Sequence, residues 1–154
     1  MVGTDSAYEY KTAVYYQRID VTLTPVDTAL PPFLFANNGT ARAAALDSVT
    51  LKGEPFSVVS DHNFSSDKRT RLTLFGYNLE LRAGEDISAI TVQARDSQDR
   101  VYALPVEAVT DLPNFTWIRQ VTVKLPDELK GAGDVWLSIS LRGATSFQAK
   151  VRIL

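Results

Sequence analysis

The chain has 154 residues, enough for one domain that buries about 68–70% of its unfolded surface without cross-links. It contains no cysteine, which excludes thiolate catalysis, cysteine-ligated zinc and a disulfide framework. The formal net charge of −2 argues against a nucleic-acid partner, because such binders usually carry a strongly basic face. No run approaches the roughly 20 apolar residues of a membrane span, and the first ten residues lack the pattern of a secretory signal.

The chain begins with a tyrosine-rich arm, residues 1–17, which favours a β-strand but gives no face a clear preference. Such a strand pairs either within its own sheet or with the edge of a neighbouring copy. In the second case the arm forms an inter-subunit strand, and the residues that we expect in it are Tyr8, Tyr10, Val14 and Tyr16.

Residues 18–60 are predicted to add N-terminal strands. Ile19, Val21 and Leu23 alternate with polar residues, and Pro25 closes that run. Two prolines then impose an extended approach to residues 33–35. Further strands are expected at residues 40–46 and 56–59, before a polar loop at 60–68.

The second half, residues 68–154, has the regular spacing of a β-sandwich. Strands are predicted near residues 70–75, 87–95, 100–109, 117–124, 134–141 and 145–153. A tight hairpin is expected at residues 96–99, and one helical turn within 126–133. The whole chain is therefore predicted to be one all-β domain, an antiparallel β-sandwich.

The two tryptophans are predicted to occupy different environments. Trp117 is in phase with Val121 and Val123, which predicts a place in the core. Trp136 is out of phase with the apolar residues of its strand, so either the N-terminal segment covers it or it contributes to a binding surface. With Tyr77, Trp136 is the candidate stacking platform for a surface polysaccharide.

Residues with catalytic chemistry are sparse. The only histidine, His62, lies in a polar loop beside Asp61 and Ser60, and a small hydrolase that uses it is the weakest of the alternatives. The aspartates fall at predicted turns, where they commonly accept backbone N–H groups. Asp96 and Asp99 are too few ligands for calcium. We therefore predict no catalytic residue, no metal and no cofactor.

Five motifs in order carry a family resemblance. They are Pro32-Phe33-Leu34-Phe35, Gly39-Thr40-Ala41-Arg42-Ala43-Ala44-Ala45-Leu46, Arg71-Leu72-Thr73-Leu74-Phe75-Gly76-Tyr77-Asn78-Leu79, Gln120-Val121-Thr122-Val123-Lys124-Leu125-Pro126 and Gly133-Asp134-Val135. With them the chain resembles an acidobacterial C-terminal domain family related to the IPT/TIG immunoglobulin-like modules. Residues 46–71 depart from the family pattern, because they carry enough apolar residues for an additional strand pair.

The resemblance implies an immunoglobulin-like sandwich with extra N-terminal strands, at the end of exported or cell-surface bacterial proteins. It implies no catalytic residues. We therefore expect an extracellular module with a structural, adhesive or protein-interaction role, whose partners are other protein domains or copies of itself. The alternative is a carbohydrate-binding module.

Overall fold

The structure, a computed structural model, describes residues 30–154, which form two antiparallel sheets with the core between them. The strands are β1 (Phe33–Leu34), β2 (Ala45–Asp47), β3 (Arg71–Tyr77), β4 (Ile90–Arg95), β5 (Val101–Leu104), β6 (Val106–Leu112), β7 (Phe115–Lys124), β8 (Gly133–Leu141), β9 (Ala144–Thr145) and β10 (Ala149–Ile153). The predicted all-β antiparallel sandwich is confirmed. The predictions for the arm and for the run at residues 19–23 lie outside the described residues.

Sheet 1 is ordered β1-β3-β7-β6, and β2 also pairs with β3. β3 therefore lies inside the sheet, with β7 along one edge and both short strands along the other. Its buried residues are Leu72, Leu74 and Gly76, and the residues between them point to the outer face of the sheet. The period-two pattern of the sequence is thus realised in β3.

Sheet 2 is ordered β10-β8-β4-β5, and β9 also pairs with β8. On β8 the inward residues are Val135, Leu137, Ile139 and Leu141, as the alternation predicts, and all are buried. A single residue, Pro105, separates β5 of sheet 2 from β6 of sheet 1. The two sheets are consequently tied together at one side of the sandwich.

The turns predicted in the second half are present. β4 and β5 form the hairpin around residues 96–99, with Arg95 opposite Val101. A 3-10 turn at Asp127–Leu129 buries Leu129 beneath the loop before β8. A second 3-10 turn, at Ile87–Ala89, replaces the first part of the strand predicted over residues 87–95.

The segment 40–59 differs from the prediction. Its only strand is Ala45–Asp47, while Phe56 and Val59 make single bridges to Ile153 and Arg69. Phe56 is nevertheless buried, because it covers the side of the core beside β10. Phe56 and Val58 therefore close the core from a loop instead of forming another strand pair, whereas Val49, Leu51 and Val59 are exposed.

Gly76 lies within β3, at a close approach of two strands. β3 continues through it to Tyr77, and the positive φ after this strand, 59°, is at Asn78. A Cβ atom on Gly76 would lie 2.8 Å from the carbonyl oxygen of Phe33 and 2.9 Å from Cδ1 of Leu79. Glycine is required here because β1 approaches β3 too closely for any side chain.

Candidate functional site

Four aromatic side chains of sheet 1 form one exposed cluster, the aromatic patch: Phe33, Phe35, Tyr77 and Trp117. The ring centroids of Phe33 and Tyr77 are 5.3 Å apart, and those of Phe33 and Phe35 are 5.4 Å apart. Phe35 links the pair to Trp117, with centroids 6.1 Å apart. The exposed fractions are 38% for Phe33, 43% for Tyr77 and 56% for Trp117. Residues 30–154 therefore leave these rings accessible to a partner.

Strand pairing explains how β1 and β3 bring three of these rings together. Phe33 and Phe35 flank Leu34, which is buried, so both rings project away from the core. Phe33 is the register partner of Tyr77, and the backbone N–H of Phe35 donates to the carbonyl oxygen of Phe75. Directly opposed residues of antiparallel strands lie on the same face, so these aromatic rings meet there.

Trp117 is not in the core, and the prediction that placed it there is wrong. The last residue of β3, Tyr77, pairs with Ile118, so Trp117 lies beyond the end of the neighbouring strand. The first three residues of β7 are all exposed, and burial is complete only from Val121 onward. Alternation predicts burial only where a strand is covered, and the exposure of residues 115–117 shows that residues 30–154 leave this end of β7 uncovered.

Charges on sheet 1 are concentrated away from the patch. At the opposite end of β3, the Arg71 guanidinium donates to the Glu107 and Asp67 carboxylates. These bonds raise the pKa of Arg71, first through Glu107, and the bond from Arg71 is the main cause of the lowered pKa of Asp67. The charges next to the patch, Asp111 and Arg119, form an ion pair with each other.

A cleft of about 460 Å³ continues from the patch to the end of the sandwich. Phe33 and Tyr77 form one wall of it, and the other wall comes from the segment after β9, including Phe147. The side-chain amide of Asn78 donates to the carbonyl oxygens of Leu30 and Pro31, and this fixes the chain beside the cleft. The patch and the cleft thus form one continuous and mainly apolar surface.

Tyr77 and Trp136, the predicted platform, lie on different sheets. Tyr77 belongs to the patch, whereas Trp136 is on the outer face of sheet 2. The Nζ atom of Lys150, on the adjacent strand, lies 4.5 Å above the centroid of the Trp136 ring, and the ring is half-buried. Trp136 is therefore already covered in part by its own sheet. The predicted cover of Trp136 by the N-terminal segment involves residues outside those described.

His62 lies in a second, open cleft near Asp47 and Asp61. Its backbone N–H donates to Oγ of Ser60 at 3.3 Å. Between residues 30 and 154, no hydrogen bond joins the imidazole ring to a serine hydroxyl or a carboxylate. The geometry that a hydrolytic dyad requires is not formed by these residues.

Asp96 is buried at the β4–β5 hairpin and holds that turn together. Burial by itself would raise the pKa of its carboxyl, but hydrogen bonds from Arg100, Gln98 and Tyr102 outweigh burial and hold the pKa at about 2. The same contacts take up the oxygens that a calcium ion would need. The Asp99 side chain is exposed, and its Oδ1 atom lies 4.0 Å from the Nη1 atom of Arg95.

Comparisons of the chain with protein-family models, with curated proteins and with solved structures found no match. The resemblance to an acidobacterial immunoglobulin-like family stays a prediction from the sequence. Residues 30–154 contain no helix with the length and apolar character to cross a bilayer, and no cluster of three or more potential metal ligands.

Sequence reasoning identified Tyr77 but missed its three neighbours in the patch. A signal for Phe33 and Phe35 was available, because a buried leucine between two phenylalanines places both rings on one outer face. For Trp117 the local signal in the sequence was its position three residues after Asn114. In the structure, Asn114 has a φ of 68° and lies at the tip of the β6–β7 hairpin. Residues near such a tip commonly extend beyond the opposite sheet.

Proposed function

We propose that the protein is a non-catalytic binding module of the cell surface, which holds its partner on the aromatic patch and has an adhesive or structural role. The observation that supports this proposal is the contiguous set of exposed rings on an otherwise ordinary sandwich. Large exposed aromatic clusters mark interaction sites because water contact with them is unfavourable. The extracellular setting and the immunoglobulin-like form of the sandwich come from the family resemblance.

The edge strands β5 and β6 favour the patch over strand addition as the main contact. β6 has register irregularities at both ends and is preceded by Pro105, and β5 has only four residues. Bulges, prolines and short strands make poor templates for an added strand. Assembly through the arm, with Tyr8, Tyr10, Val14 and Tyr16, remains a second mode of the same function.

Cosedimentation of the purified full chain with isolated bacterial envelopes tests the proposal. We expect binding that falls in Trp117→Ala and is retained in Trp136→Ala, the matched tryptophan control on the opposite sheet. Equal binding by both variants would contradict a role for the patch. Turnover of an ester or glycoside that is lost in His62→Ala would contradict the non-catalytic assignment.

Sedimentation of the chain with and without residues 1–17 tests the second mode. If the arm links copies, the full chain self-associates as concentration rises and the shortened chain does not. A full chain that stays monomeric at high concentration, with the same behaviour after truncation, would exclude assembly through the arm.

A further inference from the structure

We infer that the aromatic patch binds an uncharged polysaccharide, a chemical class that follows from three properties of the surface. This inference rests on the proposed binding function and specifies the partner. The three properties are the absence of charge in the patch, the neutral polar groups beside it, and the close grouping of its exposed rings.

The charge distribution favours an uncharged partner. None of the four patch residues carries a charge, and the adjacent Asp111 and Arg119 neutralise each other. Further along the same face, Arg71 is engaged by Asp67 and Glu107. Among the described residues, 30–154, an acidic or basic partner would find no available opposite charge at the patch, and a buried unpaired charge is strongly unfavourable.

Neutral hydrogen-bonding groups lie beside the rings on the outer face of sheet 1. Gln120 is the register partner of Phe75, and Thr122 and Thr110 are the register partners of Thr73 and Gln120. Within residues 30–154 the hydroxyls of these three threonines have no hydrogen-bond partner. An entirely apolar protein surface docked here would bury them without partners, whereas sugar hydroxyls would satisfy them.

A sugar ring has an apolar C–H face and a polar rim, which matches a group of exposed aromatic rings beside neutral hydroxyls and an amide. Aromatic faces attract C–H groups, and the neutral polar groups provide orientation. Phe33, Phe35 and Tyr77 form a triangle with centroids 5.3–6.1 Å apart, and Trp117 extends this group from Phe35 with centroids 6.1 Å apart. The triangle and Trp117 offer adjacent contacts to a sugar chain, and the cleft beside Tyr77 accommodates a further unit.

Affinity electrophoresis of the full chain tests this inference. The gels contain a neutral β-glucan, a neutral α-glucan, a xylan or, as the charged comparison, polygalacturonate. We expect retardation by at least one neutral polysaccharide and none by polygalacturonate. Trp117→Ala and Tyr77→Ala should weaken the binding about tenfold or more, as loss of a central aromatic contact does.

Trp136→Ala is the matched control and should be retarded like the parent chain. Tryptophan fluorescence adds an independent readout, because the neutral glucan should shift the emission of Trp136→Ala, in which Trp117 is the remaining tryptophan, and leave that of Trp117→Ala unchanged. Replacement of Thr122 by Val tests the neutral polar groups and should weaken retardation by a smaller factor than the aromatic substitutions.

The outcomes separate this inference from the proposed function. If no neutral polysaccharide retards the chain while envelope binding still requires Trp117, the partner belongs to another chemical class and the inference is wrong, but the binding function stands. If retardation occurs and survives Trp117→Ala and Tyr77→Ala, the glycan site is elsewhere and the inference is wrong. If neither assay depends on the patch, both proposals are wrong.

Discussion

The outer faces of the two sheets differ in how their tryptophans are accommodated. On sheet 2, Trp136 lies beneath the Lys150 ammonium, with Arg95 on the other side as its register partner in β4. On sheet 1, the Trp117 ring packs edge-on against Phe35 and is more than half exposed among residues 30–154. The sheet 2 tryptophan is thus satisfied by local strand pairing, whereas the sheet 1 tryptophan is available to a partner. Two residues of one type consequently have different expected effects when removed.

The largest effect on the stability of sheet 1 and on its patch is expected from Gly76→Ala, a substitution beneath the patch. The added methyl group would collide with the backbone carbonyl of Phe33, so β1 must move away from β3. Overpacking of this kind costs about 1–3 kcal/mol of unfolding free energy, and the displaced Phe33 should also weaken binding at the patch. Urea denaturation and the envelope assay measure the two effects.

Gly53→Ala is the matched control for that experiment. A Cβ atom at Gly53 has no other heavy atom within 4 Å, and its φ is not positive. Its stability should be unchanged or slightly raised, because alanine restricts the unfolded chain. Equal destabilisation of both variants would mean that the close approach of β1 to β3 does not require glycine.

Substitution of the two tryptophans gives the next largest effects. Trp136→Ala should lower stability, and Trp117→Ala should lower binding. Trp136→Ala removes a half-buried ring and its cation–π contact, so we expect a loss of about 1–2 kcal/mol. Trp117→Ala should change stability by less than about 1 kcal/mol, because the ring is largely exposed. Thermal unfolding of both variants, measured together with binding, tests this. A larger loss in Trp117→Ala would place that ring in a structural role.

A smaller effect, present at neutral pH and lost in acid, is expected at the hairpin of sheet 2. The folded pKa of Asp96, about 2, is below its ordinary value of 3.8. The ionised carboxylate therefore contributes stability that is complete above about pH 5 and is lost as the pH falls through 4 toward 2. Melting temperatures of the parent chain and of Asp96→Asn should differ at pH 7 and converge near pH 2.

Asp99→Asn is the control for the acid experiment. It lies in the same hairpin with an exposed side chain, and its backbone has a φ of 61°, which asparagine tolerates. Its melting temperature should follow that of the parent chain at every pH. A difference between Asp96→Asn and the parent that stays constant down to pH 2 would contradict the sign of the pKa shift.

Much of the fold follows from residue pattern, because strands covered by a facing sheet must alternate. The buried residues of β8 and the hairpin at residues 96–99 were predictable in this way. The patch was not, since it depends on which strands are neighbours and where each strand ends. Trp117 has the phase of a core residue, and only the end of β3 at Tyr77 explains its exposure. Likewise, the loop position of Phe56 depends on the edge of β10, which is distant in sequence.

The patch is assembled from three distant parts of the chain: β1 with the residue that follows it, the end of β3 and the start of β7. No fragment that contains only one of these parts can reproduce it. Such long-range pairings form only with the rest of the sandwich. Binding at the patch would therefore require the completely folded domain. One proteolytic cut between residues 78 and 115, followed by separation of the pieces, would leave Phe33, Phe35 and Tyr77 on one piece and Trp117 on the other.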